Sequence, residues 1–151
     1  MTEVSRMVDA PPESVFAVLA DGWSYGGWVV GSSHIRVVDE DWPAVGARIH
    51  HSVGLWPLQI EDESTVVVME PDQLLLLHAK AWLFGTAAVE IALLPRDGGT
   101  RTLVRMREHA VRGPGKLLPE RVQGWLLRPR NKESLARLAD IAVGRRATSR
   151  S

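Results

Sequence analysis

Apolar positions follow two different rhythms along this chain. Residues 2–8 (TEVSRMV) alternate roughly between apolar and polar, which predicts an edge-type strand. In DAPPESVFAVLAD (9–21) the period changes. Val15, Phe16 and Leu19 recur at helical spacing, Pro12 suits the first helical turn, and Glu13 suits the positive end of a helix. GWSYGGWVVG (22–31) reads as a second, poorer helix that combines two tryptophans with four glycines, the latter weak helix formers. Two roles fit that composition equally: a gate that opens readily, or a rigid plug whose glycines permit close packing.

After Gly31 the rhythm is that of strands. SHIRVVD (33–39), ARIHHSVGL (47–55), EDESTVVVME (61–70), LLLLHAKAWL (74–83), TAAVEIALLP (86–95) and TRTLVRMREHA (100–110) are separated by turn-like breaks, of which RDGGT (96–100) is a strong hairpin signal. The chain ends in a helix. Leu135, Leu138, Ala139 and Ala142 form an i, i+3, i+4, i+7 stripe, and Asn131, Leu127 and Gly124 fall on the same face. Pro129 within this run predicts a kink or a helix start near Arg128, because proline lacks the amide donor and crowds the preceding turn. RGPGKLLP (112–119) is a candidate entrance loop, and residues 145–151 read as a flexible tail beyond a single domain of residues 1–144. The order predicts an α+β fold: a curved antiparallel sheet of six or seven strands wrapped around a long C-terminal helix, with two short helices after the first strand. A sheet that wraps around one helix can leave a cavity between the two.

Composition narrows the chemistry. The chain has 151 residues, 45% of them apolar and 24% charged, as expected for one soluble globular domain. It has no cysteine, which excludes disulfides, thiolate metal sites and cysteine nucleophiles and suits a reducing, cytoplasmic setting. The N-terminus shows no signal-peptide pattern, and no apolar run approaches membrane-spanning length, so stable membrane insertion is not expected. Net charge is zero but divided: residues 1–75 carry 12 acids and 3 bases, residues 76–151 carry 6 acids and 15 bases. The simplest reading is two halves that interleave and neutralise each other; the sharper one is a basic face for an anionic lipid or nucleic acid. Nucleic acid is disfavoured, because the arginines are scattered and carry no aromatic–basic recognition motif.

The order of elements and several local words resemble the polyketide cyclase/dehydrase and lipid-transport superfamily, also called SRPBCC or START-like, whose fold is the helix-grip. DAPPESVFAVLAD, GGWVVG, PRDGGTRTLVRMRE and RNKESLARLADIA carry the resemblance across residues 2–143, and actinobacterial-type members are the most similar. It implies a hydrophobic pocket between sheet and long helix for a lipid or polyketide-like small molecule, with no cofactor. It does not imply a reaction, since the superfamily includes carriers, receptors and aromatase/cyclases. Three readings follow: binding of a hydrophobic small molecule, a cyclase/dehydratase using a pocket carboxylate or histidine as acid/base, and a regulatory or partner-binding module. Trp28, Trp56 and Trp125 lie where the family places its pocket wall.

The remaining candidates come from strand alternation. His50 and His51 are adjacent, so they point to opposite faces; Ile49 and Val53 share the parity of His51 and make it the inward one. On the last strand Arg101, Arg105 and Arg107 claim one face for water, which turns Val104, Met106 and Glu108 inward. An inward carboxylate needs a partner, so Glu108 is either paired with an arginine at a cavity rim or a proton-transferring group. Glu108 and His51 are thus the catalytic candidates, although no nucleophile–base pair compels an enzyme. The other ligand-binding candidates are His78, whose facing the leucine run leaves open, with Leu127 and Asn131 on the apolar face of the last helix. None of the five histidines has metal-ligand spacing.

Overall fold

The computed structural model describes residues 1–30, 32–53, 60–81 and 85–150. The elements run β1 (Thr2–Val8), α1 (Pro12–Ala20), a single 3-10 turn (Gly22–Ser24), α2 (Tyr25–Trp28), β2 (Ser32–Val38), β3 (Arg48–Val53), β4 (Ile60–Glu70), β5 (Leu74–Ala81), β6 (Gly85–Arg96), β7 (Arg101–Arg112) and α3 (Glu120–Arg150). All seven strands form one open, curved sheet in the order β1-β7-β6-β5-β4-β3-β2, with every neighbouring pair antiparallel. β1 and β2 are therefore its two edges, and α1 and α2 carry the chain from one to the other. α3 packs against β1, β7, α1 and α2 on the concave side. This is the α+β helix-grip arrangement expected from the order of elements.

Alternation decides which side chains enter the grip. Val4, Val8, Ile49, Val66, Leu75, Leu77, Ile91, Leu93, Val104 and Met106 face inward and form one core with Val15, Phe16, Val18 and Leu19 of α1 and Leu135, Leu138, Ala139 and Ala142 of α3. Two buried bonds lock the α1 side of this core. Thr102 Oγ1 donates to the Ala10 carbonyl at 2.8 Å, and Trp42 Nε1 donates to the Leu19 carbonyl at 3.0 Å. The β6–β7 hairpin turns through Asp97, Gly98 and Gly99 with φ of 52°, 68° and 89°, a left-handed run that two glycines make inexpensive.

The divided charge is used for internal pairing. Acidic residues of the first half meet bases of the second: Glu3 with Arg107 at 2.7 Å, Asp21 with Arg145 at 2.8 Å, and Glu63 with Lys80 at 2.9 Å. Glu90 on the convex face lies beside Arg107 at 4.0 Å, as strand pairing requires.

Of the two outcomes expected at Pro129, a kink or a helix start, the second needs correction. The helix starts at Glu120, not near Arg128, and Pro129 sits inside it. Pro129 cannot donate to the carbonyl of Trp125, one turn earlier, and this segment faces solvent, with Trp125 77% exposed. At the other end the backbone is helical to Arg150, and Arg145 reaches back to Asp21.

Candidate functional site

The concave face changes character from one end of the sheet to the other. One cross-strand row runs Thr2, Glu108, Val89, Leu77, Val66 through β1, β7, β6, β5 and β4. The next row toward the open end runs Ala110, Ala87, Ala79, Ser64, Ile49 from β7 to β3. Three consecutive alanines on the inner face leave space that larger side chains occupy in the packed rows. All three are half-buried, whereas Leu77 and Ile91 on neighbouring inner positions are sealed. A small-residue row thins the side-chain layer on this part of the concave face, whereas the α1 end of the grip is packed with larger core side chains.

Polar groups gather around this row. From β4, Ser64 Oγ lies 3.1 Å from the hydroxyl of Tyr25 and 3.3 Å from Nε2 of His51. All three side chains are buried. Tyr25 comes from α2, where it meets Trp28 edge to face at 5.4 Å and the His51 ring at 5.5 Å. From α3, Arg130 Nη2 donates to Glu108 Oε1 at 2.5 Å, and its Nε and Nη2 lie 3.3 and 3.2 Å from Asn131 Oδ1. Ser134, one turn on, accepts the Val30 amide at 3.1 Å and so ties the segment after α2 to α3.

Burial sets the protonation states of the two titratable rings. It pushes the Tyr25 hydroxyl above its usual range; the Ser64 bond and the Arg130 charge oppose this, and the Glu108 charge adds to it. Burial likewise lowers the His51 imidazole below its ordinary value, opposed by Asp62 and aided by Arg36 and His50. Tyr25 is thus a neutral phenol and His51 a neutral imidazole. Each of the two contacts takes one donor, so the His51 tautomer follows the direction of the chain: with Tyr25 donating to Ser64 and Ser64 to His51 Nε2 the imidazole proton sits on Nδ1, and in the reverse direction Nδ1 is an acceptor. Nδ1 is buried and has no hydrogen-bond partner; the same is true of Asn131 Nδ2, whose residue is 1% exposed. The site therefore holds two buried nitrogens without partners, the Asn131 amide donor and the His51 Nδ1.

The residues expected from sequence distribute unevenly. Trp28, His51, Val104, Met106, Glu108 and Asn131 are buried on the concave side, and Leu127 is half-buried on the flank of α3 that carries Asn131. Val104 and Met106 belong to the solid core. Two candidates need correction. His78 pairs with Thr65 and Ala88 between the inward Leu77 and Ala79, which puts it on the convex face. Trp125 points away from the grip and walls an open surface cleft of about 550 Å³ with Met1, Thr2, Glu120, Arg121, Gly124, Arg128 and Pro129. Trp56 lies outside the described residues. Tyr25, Ser64 and Arg130 were not anticipated. A lone tyrosine in a glycine-rich segment and a serine in a strand carry no chemical signal until the fold joins them, although the need for a base beside Glu108 did point toward an arginine.

An open sheet gripping one long helix over a partly polar interior defines the helix-grip class. The chain belongs to the polyketide cyclase / dehydrase and lipid transport family, which it matches over residues 2–143. Solved structures share the fold. The Zhui aromatase/cyclase from Streptomyces sp. R1128 is 19% identical, with 95% of this chain and 93% of that one aligned at a TM-score of 0.69. A Mesorhizobium loti protein is 19% identical over 93% of this chain and 94% of its own, at 0.67. A Staphylococcus aureus protein of unknown function is 10% identical over 99% and 96%, at 0.71. No curated protein sequence matches the chain. Among the described residues no group of His, Asp and Glu is placed to hold a metal ion, and no helix is long and apolar enough to cross a membrane.

Proposed function

We propose that the protein binds an amphipathic small molecule, of lipid or polyketide-like character, in the space between the alanine row of the sheet and α2 and α3. The observation that carries this reading is the pair of buried nitrogens without partners, the donor Asn131 Nδ2 and His51 Nδ1, beside an inner face reduced to Ala79, Ala87 and Ala110. An unmet buried donor costs about 1–3 kcal/mol, and a ligand oxygen removes that cost. The ligand therefore carries an acceptor such as a ketone or carboxylate oxygen, and an apolar body that lies against the alanines and Val89.

Calorimetric titration with 2-acetylnaphthalene and 2-ethylnaphthalene tests this. The ketone is expected to bind about two- to tenfold tighter, the value of one hydrogen bond, and Ala87→Leu is expected to abolish binding of both while the protein stays folded. Binding of neither compound, or equal binding of both with Ala87→Leu without effect, overturns the reading.

One observation favours a second reading, acid/base catalysis in cyclisation or dehydration. The Tyr25–Ser64–His51 chain is a continuous path for a proton, ending on a neutral imidazole. Glu108 is less suited to that task because Arg130 occupies it. Turnover of a linear poly-β-ketone that disappears in Tyr25→Phe with ketone affinity kept, and in His51→Ala, supports catalysis; turnover unchanged by both removes it.

A further inference from the structure

We infer that the start of α3 and the turn before it form a peripheral docking face for an anionic lipid bilayer. Of the twelve large apolar side chains exposed among the described residues, Leu117, Leu118, Val122, Trp125 and Leu126 fall within ten residues, and Met1 borders the same cleft. Leu117 is 86% exposed, Trp125 77% and Leu126 52%. Val122, Trp125, Leu126 and Pro129 stand at i, i+3, i+4 and i+7, so they make a single apolar stripe on the solvent side of the helix, opposite buried Asn131. Apolar surface gathered this way on one exposed helix face needs an explanation that scattered apolar residues do not.

The turn is held, not loose. Gln123 Nε2 donates to the carbonyls of Leu118 at 2.8 Å and Gly115 at 3.3 Å, which fastens the 114–118 segment onto α3 and presents Leu117 and Leu118 beside the stripe. Residues 112–130 contain five bases and one acid. Glu120, the acid, is paired with the N-terminal amine, and Arg130 is paired with Glu108. Arg112, Lys116, Arg121 and Arg128 make no ion pair among the described residues, in contrast to Arg101, Arg105, Arg107, Arg145 and Arg146, which pair with acids of the first half. Exposed leucine and tryptophan bordered by uncompensated arginine and lysine match the chemistry of a bilayer interface: apolar groups enter the acyl boundary, the indole sits at headgroup depth, and the bases meet lipid phosphates. A protein partner would call for matching acids or a closed apolar surface, whereas the loose ring of bases here fits a laterally mobile anionic surface. The face adjoins the end of β7 that carries Ala110, so docking sets the open end of the concave face against the bilayer. The proposal does not depend on the nature of the internal ligand.

Flotation of the full chain with phosphatidylcholine vesicles, with and without 30% phosphatidylglycerol, tests it. Binding is expected to the anionic vesicles, to be at least tenfold weaker on the zwitterionic ones, and to fall steeply as salt is raised. The paired change Lys116→Glu and Arg121→Glu is expected to weaken binding by more than about thirtyfold, and Leu117→Glu with Leu126→Glu to abolish it. All four positions are exposed or solvent-facing, so these variants are expected to unfold at the temperature of the parent. Arg96→Glu, at the far end of the β6–β7 hairpin, changes charge equally per site and is expected to leave binding intact. Absence of binding to anionic vesicles, binding that ignores lipid charge, or equal loss in Arg96→Glu overturns the proposal. So does a concentration-dependent dimer in sedimentation that the leucine variants dissociate, because the face would then belong to a second copy of the chain.

Discussion

Ser64 is the residue on which the interior polar network turns, and its removal gives the sharpest test of that network. Its hydroxyl serves both the Tyr25 hydroxyl at 3.1 Å and His51 Nε2 at 3.3 Å, and it is fully buried. Ser64→Ala deletes one atom and strands two buried polar groups. At about 1–3 kcal/mol for each, and with both contacts toward the long end of hydrogen-bond distance, the expected loss is about 2–4 kcal/mol. Tyr25→Phe also deletes one atom, yet it leaves Ser64 bonded to His51, so its expected cost is only about 0.5–1.5 kcal/mol. Adding Tyr25→Phe to Ser64→Ala removes one of the stranded groups. The double variant should therefore be less destabilised than the sum of the singles by about 1 kcal/mol or more. Urea unfolding followed by tryptophan emission measures all three, with an unchanged m-value as the check that folding remains two-state. For a chain of this size each kcal/mol moves the melting temperature by about 2–4 °C, so the order is also visible by thermal scan. Ser64→Ala costing no more than Tyr25→Phe, or strict additivity of the pair, would refute the shared-hydroxyl account.

Three further outcomes follow from the same geometry. Folding lowers the His51 pKa below its ordinary 6.5, so between that value and the folded value only the unfolded chain gains the proton. Stability is then complete above about pH 6.5 and declines as pH falls through that window, before the carboxylates Glu3 and Glu63, whose own pKa values are held below 4.5, begin to protonate. Melting temperatures measured from pH 7.5 to 5 should show this decline in the parent and a flatter profile in His51→Gln; parallel profiles would contradict it. Within the Glu108–Arg130 pair the carboxylate is buried and the guanidinium is 39% exposed. Arg130→Gln should therefore destabilise more than Glu108→Gln, by about 1–2 kcal/mol in urea unfolding, because only the first leaves a charge buried alone. Gly22 packs so closely that a Cβ would lie 2.6 Å from Val38 Cγ1, whereas one on Gly27 would meet Ile141 at 3.6 Å. Gly22→Ala is expected to cost about 1–3 kcal/mol and Gly27→Ala to be neutral or stabilising; the reverse order would show that the 22–31 segment is not packed as a plug. Hydrogen exchange over residues 22–30 should then match the core, and loop-like rates would restore the gate.

Local pattern determined a good deal by itself. The switch from period 3.6 to period 2 and back placed every element to within a few residues, apart from the start of α3, because periodicity records which face of an element meets apolar surroundings. The same logic put His50 and His51 on opposite faces and turned Glu108 inward, since three arginines cannot share the buried side of a strand. Direction failed where the local signal was ambiguous. His78 follows a run of four leucines in which both parities are apolar, so only pairing with β4 and β6 decided its face. Pro129 predicted a kink or a helix start near Arg128; the start is instead at Glu120, because a proline in a solvent-facing stretch of helix costs less than one in a packed stretch. Tyr25, Ser64, His51 and Arg130 are separated by up to 105 positions, and no spacing joins them. Their meeting depends on the curvature that folds β3 and β4 beneath α2 and on the helix that brings Arg130 to Glu108. Alternation alone sent His51 and Glu108 inward; tertiary structure alone joined them to Tyr25, Ser64 and Arg130, because a hydrogen bond between distant residues leaves no period in the chain.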